Sequence, residues 1–381
     1  MLLTHRLDEH ARSRPTGMAF ADKTAGEWRT TSWQAYRDVT VDAAASLRAL
    51  GVGKDDVVTI LGANRPEWLV TIMAAMRLGA WSAGIYTTSS PDEVRYILGH
   101  SESPVLLVEN EELAAPVLAM WDDLPSLRHV VLMRHASSDD PRVLTWDAFV
   151  ALGEPVSPDV VAQASAAVEP DDVALLIYTS GTTGRPKAVM LTHDNLTTSW
   201  DALAEVNGVV TPADRTLSYL PLAHIAEMLI SVVGHAASGY SVVFCHEPLQ
   251  LAEYLPRARP TVFFGVPRVW TRFQSVIDDS VAGLTGPKAA LMAWARRVGA
   301  EEMALRRVGR RPDGRLALEH KVADRLVLGK VRAALGLDEA RVVASGAAPT
   351  PIATIEFFAS FGLELVEAYG QTEGTGGTTV G

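Results

Sequence analysis

From about Asp55 the chain alternates short apolar runs with stretches of helical spacing, and this rhythm constrains its fold more than any other feature. "DVVTILGA" and "PVLLVEN" are too short for helices and too uniformly apolar for strands with one wet face. Such runs suit strands buried on both sides, and burying both faces requires helices above and below a sheet. Between them, "PEWLVTIMAAMRLG" has proline near its start and a closing glycine, and "SPDEVRYILGHS" opens with Ser90-Pro91-Asp92-Glu93. Both are helix start and stop signals. The reading is an α/β protein with largely parallel sheets.

With 381 residues, the chain exceeds one typical domain, so two layered α/β subdomains are expected. Pro155, Ser157, Pro158 and the polar "VEPDD" suggest a connection, giving 1–155 as the first subdomain and 156–381 as the second. In the second, strands are expected at "VALLIYTS", "RTLSYLPL", "YSVVFC", "PTVFFGVP", "ARVVASG" and "LELVEAYG". Helices should fill Thr285 to Leu335, broken at Pro312.

A formal charge of −11 argues against nucleic acid as a partner, because phosphate backbones demand a basic surface. The local exception runs from Arg296 to Arg315, read either as a solvated helix face or as a patch facing anionic lipid or nucleotide. Cys245 is the single cysteine and lies in an apolar run, so no disulfide framework forms; a reducing cytoplasm fits. The charged N-terminus lacks a secretory apolar core. The most membrane-like stretch, from Trp68, is interrupted by Arg77.

One lysine carries the first chemical clue. The chain has only six lysines, and Lys187 sits in "YTSGTTGRPKAVMLTH", Tyr178 to His193, between an apolar strand and a helix beginning near Asp194. A loop of glycines, hydroxyls and backbone N–H groups beside a cation suits a polyphosphate. It is not a Walker loop, since Gly181 and Gly184 are three apart and Lys187 follows proline.

This stretch resembles the phosphate loop of the adenylate-forming (AMP-binding) superfamily, which includes acyl-CoA synthetases, luciferases and peptide-synthetase adenylation domains. The resemblance implies that Thr179, Ser180, Gly181, Thr182, Thr183, Gly184 and Lys187 hold the β- and γ-phosphates of ATP. Three later stretches resemble the family in the expected order. "YGQTE" implies Tyr369 against adenine, Gly370, Gln371 and Thr372 along the α-phosphate and substrate carboxylate, and Glu373 on magnesium. "SGAAP" implies an adenine-side loop through Gly346, Ala347 and Ala348, with alanine at 347 where many relatives carry glycine. "YLPLAHIAEM" implies His224 beside the acyl pocket as a positioning residue and not a general base, since a carboxylate is already ionised at pH 7.

The N-terminal part, "FFGVPRVW" and "KVADRLVLGKVRAALG" resemble the long-chain fatty-acyl-CoA synthetase branch, with Phe264 and Gly265 implied in the acyl pocket. Some relatives place a tryptophan gate where this chain has Met228. The implied function is ATP-dependent activation of a fatty acid to an acyl-adenylate and then to acyl-CoA, with ATP, Mg2+ and coenzyme A required. Lys187, Glu373 and His224 would be the catalytic set. A cytoplasmic location follows, with peripheral membrane contact admitted. Relatives continue past "YGQTE" into a lid domain, so the chain is read as an N-terminal portion, inactive or weakly active alone. A non-catalytic nucleotide- or acyl-binding protein, an aryl-CoA ligase and a carrier-protein adenylating domain stay open, as do chain length and oligomeric state.

Overall fold

The computed structural model describes residues 1–24, 26–134, 140–179, 184–206 and 210–380. It is mixed α/β with largely parallel sheets and divides into two compact units. The first comprises Met1–Ala213, Ser218–Pro248 and Thr372–Gly376; the second comprises Asp214–Leu217, Leu249–Gln371 and Gly377–Gly381.

In the first unit β1 (Met18–Thr24) and β2 (Glu27–Ser32) form an antiparallel pair. The larger sheet holds β3 (Val57–Leu61), β4 (Trp81–Ile85), β5 (Val105–Val108), β6 (His129–Leu132), β7 (Val143–Thr145), β8 (Val173–Thr179) and β9 (Lys187–Thr192). Their order is β7-β6-β5-β3-β4-β8-β9, parallel throughout except for β9. Every residue of β3 is buried, as its uniformly apolar sequence requires at the centre of a sheet covered on both faces.

The Pro66–Arg77 helix has proline in its first turn and buries every residue from Trp68 onward. Its charged end is accommodated by pairing: the buried Arg77 guanidinium donates to both carboxylate oxygens of Asp8, at 3.2 and 2.5 Å. The membrane-like stretch is therefore a core helix of an α/β layer. No helix among the described residues is long and apolar enough to cross a membrane.

The expected boundary at residue 155 does not coincide with this division. β8 pairs with β4, Ser82 opposite Leu175 and Ala83 opposite Leu176, so the strand leading into the phosphate-type loop completes the first unit's sheet. β9 was not expected either. Lys187–Thr192 pairs back along β8 before the helix His193–Val206 begins.

After β10 (Arg215–Ser218) and β11 (Ser241–Phe244), the second unit is built on β12 (Val262–Gly265), β13 (Val342–Gly346) and β14 (Leu365–Gln371), adjacent and parallel. Its core is aromatic. Trp270 meets Phe263 and Phe358 edge-on at centroid separations of 5.5 and 5.1 Å, and its indole N–H donates to the Ala344 carbonyl at 3.3 Å. The helical region breaks at Pro312, and Asp313 caps the next helix by accepting the Leu316 N–H at 2.7 Å.

Candidate functional site

Thr179 ends β8 directly opposite Lys187, the first residue of β9. Ser180, Gly181, Thr182 and Thr183 lie outside the described residues. Gly184 has φ +117°, a conformation that a Cβ disfavours. Tyr178 and Arg185 both meet the Pro91–Ser101 helix. Arg185 lies over the Tyr96 ring at 5.2 Å, and the Tyr178 hydroxyl and His100 Nδ1 are 3.0 Å apart. That helix starts with a reciprocal cap: the Glu93 N–H donates to Ser90 Oγ and the Ser90 N–H to Glu93 Oε2. Lys187 is exposed, with no ion pair among the described residues.

Beside this hairpin the first unit has a cleft of about 410 Å³. Thr179, His224 and Thr372 line it together with Tyr86, Glu93 and Tyr178. Residues from three separate sequence motifs thus meet in one cavity. His224 caps the short Ile225–Met228 helix, its Nδ1 accepting the Ala226 N–H at 3.1 Å. The ring proton therefore sits on Nε2, and burial lowers the pKa, which leaves a neutral hydrogen-bond donor.

Two residues that the sequence reading did not single out hold this segment in place. Asn64 Nδ2 donates to Ser218 Oγ at 2.9 Å and to the Leu220 carbonyl at 2.6 Å. The buried Glu227 carboxylate accepts the Leu220 N–H at 3.2 Å and the Ser231 hydroxyl. Burial pushes the Glu227 carboxyl up to about 7. The available signal was an acid inside the apolar run "HIAEMLI", one helical turn after His224. Met228, at the gate position, is buried.

Thr372–Gly374 forms a single 3-10 turn, tied down where Ser199 Oγ donates to the Thr375 carbonyl at 3.1 Å. Glu373 on this turn is exposed and does not line the cleft; its carboxylate makes no bond among the described residues. No group of three or more His, Cys, Asp or Glu side chains placed to cage a metal occurs among the described residues. Magnesium retained by one carboxylate and phosphate oxygens needs no such cage, so an open Glu373 fits that coordination.

In the second unit the other expected residues gather at the carboxyl ends of three neighbouring strands. Gly265 is level with Ser345, and Gly346 with Ala368. In open α/β sheets this edge is where ligands bind. A Cβ on Gly346 would lie 2.7 Å from the Ala368 carbonyl oxygen and 3.0 Å from the Phe264 ring, so only glycine fits between the strands. Phe264, expected in an acyl pocket, thus packs beneath the turn expected to face adenine. Ala347 follows at φ +67° and is exposed together with Ala348. Ser345 is buried and accepts from Thr350 Oγ at 2.7 Å, while Glu367 Oε1 accepts the Thr350 N–H at 3.0 Å. Tyr369 is 65% exposed, and Gly370 and Gln371 are exposed beside it.

Curated relatives include long-chain-fatty-acid–CoA ligase ACSBG2 of Xenopus laevis, 34% identical over 372 residues, an alignment covering 95% of this chain and 50% of the relative. ACSBG1 of Rattus norvegicus is 31% identical, with 97% of this chain and 51% of the relative covered. The chain spans about half the length of these relatives. Among solved structures, the N-terminal domain of FACL13 from Mycobacterium tuberculosis matches with TM-score 0.69 at 22% identity, covering 100% of this chain and 78% of that one. Anthranilate CoA ligase AuaEII matches with TM-score 0.72 at 19% identity, covering 100% and 62%. These likenesses establish the shared fold. The family described as AMP-binding enzyme matches residues 7–381, and the chain belongs to it.

Proposed function

We propose that the chain carries the ATP- and acyl-binding part of an AMP-forming long-chain fatty-acid–CoA ligase. The observation that supports this reading best is the cleft in which Thr179, His224 and Thr372 meet. In the proposed reaction a carboxylate oxygen of the fatty acid attacks the α-phosphorus of ATP, and the bond to pyrophosphate breaks. Lys187 and the N–H and hydroxyl donors of 179–184 stabilise the charge that leaves. The His224 Nε2–H orients the carboxylate; no general base is needed, because that group is already ionised. Gly346, Ala347, Ala348 and Tyr369 to Gln371 form the nucleotide edge of the second unit. Magnesium, held by Glu373 and phosphate oxygens, would add positive charge at the bridging oxygens. The coenzyme A sulfur then bonds to the acyl carbon, AMP departs, and the thiol proton passes to solvent. A cytoplasmic protein working at a membrane surface fits such substrates.

The test is ATP binding to the chain, by calorimetry, across a series of saturated fatty acids. Fatty-acid-dependent binding is expected, weakened about tenfold or more in Lys187→Ala through loss of a charge-assisted contact of about 1.5–3 kcal/mol. Equal ATP binding by Lys187→Ala, or no ATP binding with any fatty acid, would overturn the reading.

A further inference from the structure

A second cavity of the first unit has no role in the proposed reaction. It measures about 820 Å³, twice the volume of the cleft, and lies between the Pro91–Ser101 helix and the residues that lead into β9. Tyr96, Gly99 and His100 line it from the helix, and Gly184, Arg185 and Pro186 from the other side. Glu93 and Pro186 line both this groove and the cleft, so the two adjoin there.

The acids of the groove are engaged, and one of its cations is not. Glu93 is held in the helix cap, and Asp92 pairs at 2.5 Å with Arg95, which also meets Asp123 at 3.3 Å. Arg185 is exposed, lies over the Tyr96 ring at 5.2 Å and has no ion pair among the described residues. Beside it His100 Nδ1 is 3.0 Å from the Tyr178 hydroxyl, while His100 Nε2 makes no bond among the described residues. Burial pushes the Tyr178 hydroxyl up to about 12, so it stays a neutral donor. A guanidinium steadied on a ring next to an open imidazole nitrogen, with the neighbouring carboxylates already paired, suits an anion. Gly99 leaves room for one. Glycine is unfavourable inside a helix, and a Cβ at this position would meet nothing within 4 Å, so packing does not require it.

On the ligase reading, on which this inference rests, adenylation leaves the acyl-adenylate in the cleft and pyrophosphate at the stretch that ends in Gly184 and Lys187. The groove opens beside that stretch, and Arg185 stands between those two residues in sequence. We propose that the groove is a pyrophosphate subsite, in which Arg185 and His100 bind the released anion and keep it apart from the acyl-adenylate. The Tyr178 hydroxyl donates to His100 Nδ1, which leaves the ring proton on Nε2 for a phosphate oxygen. Tyr96 acts through Arg185 and is a positioning residue.

The experiment is calorimetric titration of pyrophosphate, in magnesium buffer, into the chain already saturated with α,β-methylene-ATP, an analogue that cannot release pyrophosphate. Pyrophosphate is expected to bind alongside the analogue. Arg185→Gln should weaken that binding about tenfold through loss of a charge-assisted contact. Gly99→Phe, which puts a ring into the open space, should weaken it about tenfold or more and leave the affinity for the analogue unchanged. Circular dichroism confirms that each variant folds. Mutual exclusion of pyrophosphate and the analogue would overturn the proposal, because the anion would then occupy only the nucleotide's own site. So would unaltered pyrophosphate binding by Gly99→Phe, or orthophosphate binding as tightly as pyrophosphate. The two readings fail differently: a chain that binds no analogue refutes the ligase reading and this inference with it, whereas analogue binding without pyrophosphate binding refutes this inference alone.

Discussion

The first unit's cleft and the second unit's strand edge present chemistry in different ways. Around the cleft the side chains do the presenting, and other side chains hold them or their segments: Tyr178 meets His100, Arg185 at the cleft's margin lies over Tyr96, and Glu227 and Asn64 bind the Leu220 backbone in the segment that carries His224. At the strand edge it is the backbone that is exposed, and the sequence contributes mainly by leaving side chains out, as at Gly346. A side-chain-built site should lose function gradually and respond to pH, whereas a backbone-built site should fail sterically and at once.

The largest expected effect lies at the strand edge. Gly346→Val brings side-chain atoms against the Ala368 carbonyl and the Phe264 ring, and should cost about 1–3 kcal/mol or more of stability together with nucleotide binding. Urea denaturation and calorimetry check this, and a fully stable, ATP-binding variant would break the comparison.

Next comes Glu227. Glu227→Ala leaves the half-buried Leu220 N–H and the buried Ser231 hydroxyl without their acceptor, at about 1–3 kcal/mol, and Glu227→Gln should restore part of the loss. Its pH dependence has a definite sign. The carboxyl sits at about 7 in the fold against an ordinary 4.5, so its contribution is complete below 4.5 and is lost as pH rises through about 7. His235 opposes it. Buried between Trp33 and Tyr36, it is lowered by burial to about 3 from 6.5, so its contribution is present above 6.5 and is lost as pH falls through about 3. Stability measured from pH 4 to 8 should gain an upward slope with pH in Glu227→Gln relative to the parent, and an unchanged profile would refute the assignment.

Smaller still is Tyr96→Ala. Removing the ring under Arg185 costs about 0.5–1 kcal/mol, a two- to five-fold loss of ATP affinity that Tyr96→Phe should largely avoid. Ala347→Gly should be mildest and of opposite sign. Relief of the left-handed backbone at φ +67° stabilises the chain by up to about 1 kcal/mol, read as a rise in urea midpoint.

Much of this architecture was legible in advance because it is local. The Pro66–Arg77 and Pro91–Ser101 helices follow from their proline-led first turns, the second also from its Ser90–Glu93 cap, and β3, β5 and β8 from uniform apolarity. β9 was not legible. Its six residues lie inside a motif whose composition signals a ligand loop, and it becomes a strand only by pairing with β8. The boundary placed at 155 failed for the same reason, since β8 joins whichever sheet offers a partner, and β4 is remote in sequence. Glu227 carries no decisive signal of its own in sequence, because an acid in an apolar run gains meaning only when its hydrogen-bond donors are known. The pairing within the arginine run was not legible either, because Glu356, which meets Arg307, lies far along the chain from it.

By itself the sequence determined the α/β rhythm, the helix ends and the chemistry of a loop of small donors beside Lys187, all of which depend on neighbours a few residues apart. Tertiary structure alone decided that Thr179, His224 and Thr372 share one cavity, that Glu227 is a buried acid, and that Phe264 lies beneath Gly346. Those are consequences of strand pairing and burial between distant segments, where desolvation and steric fit, and no local preference, set the outcome.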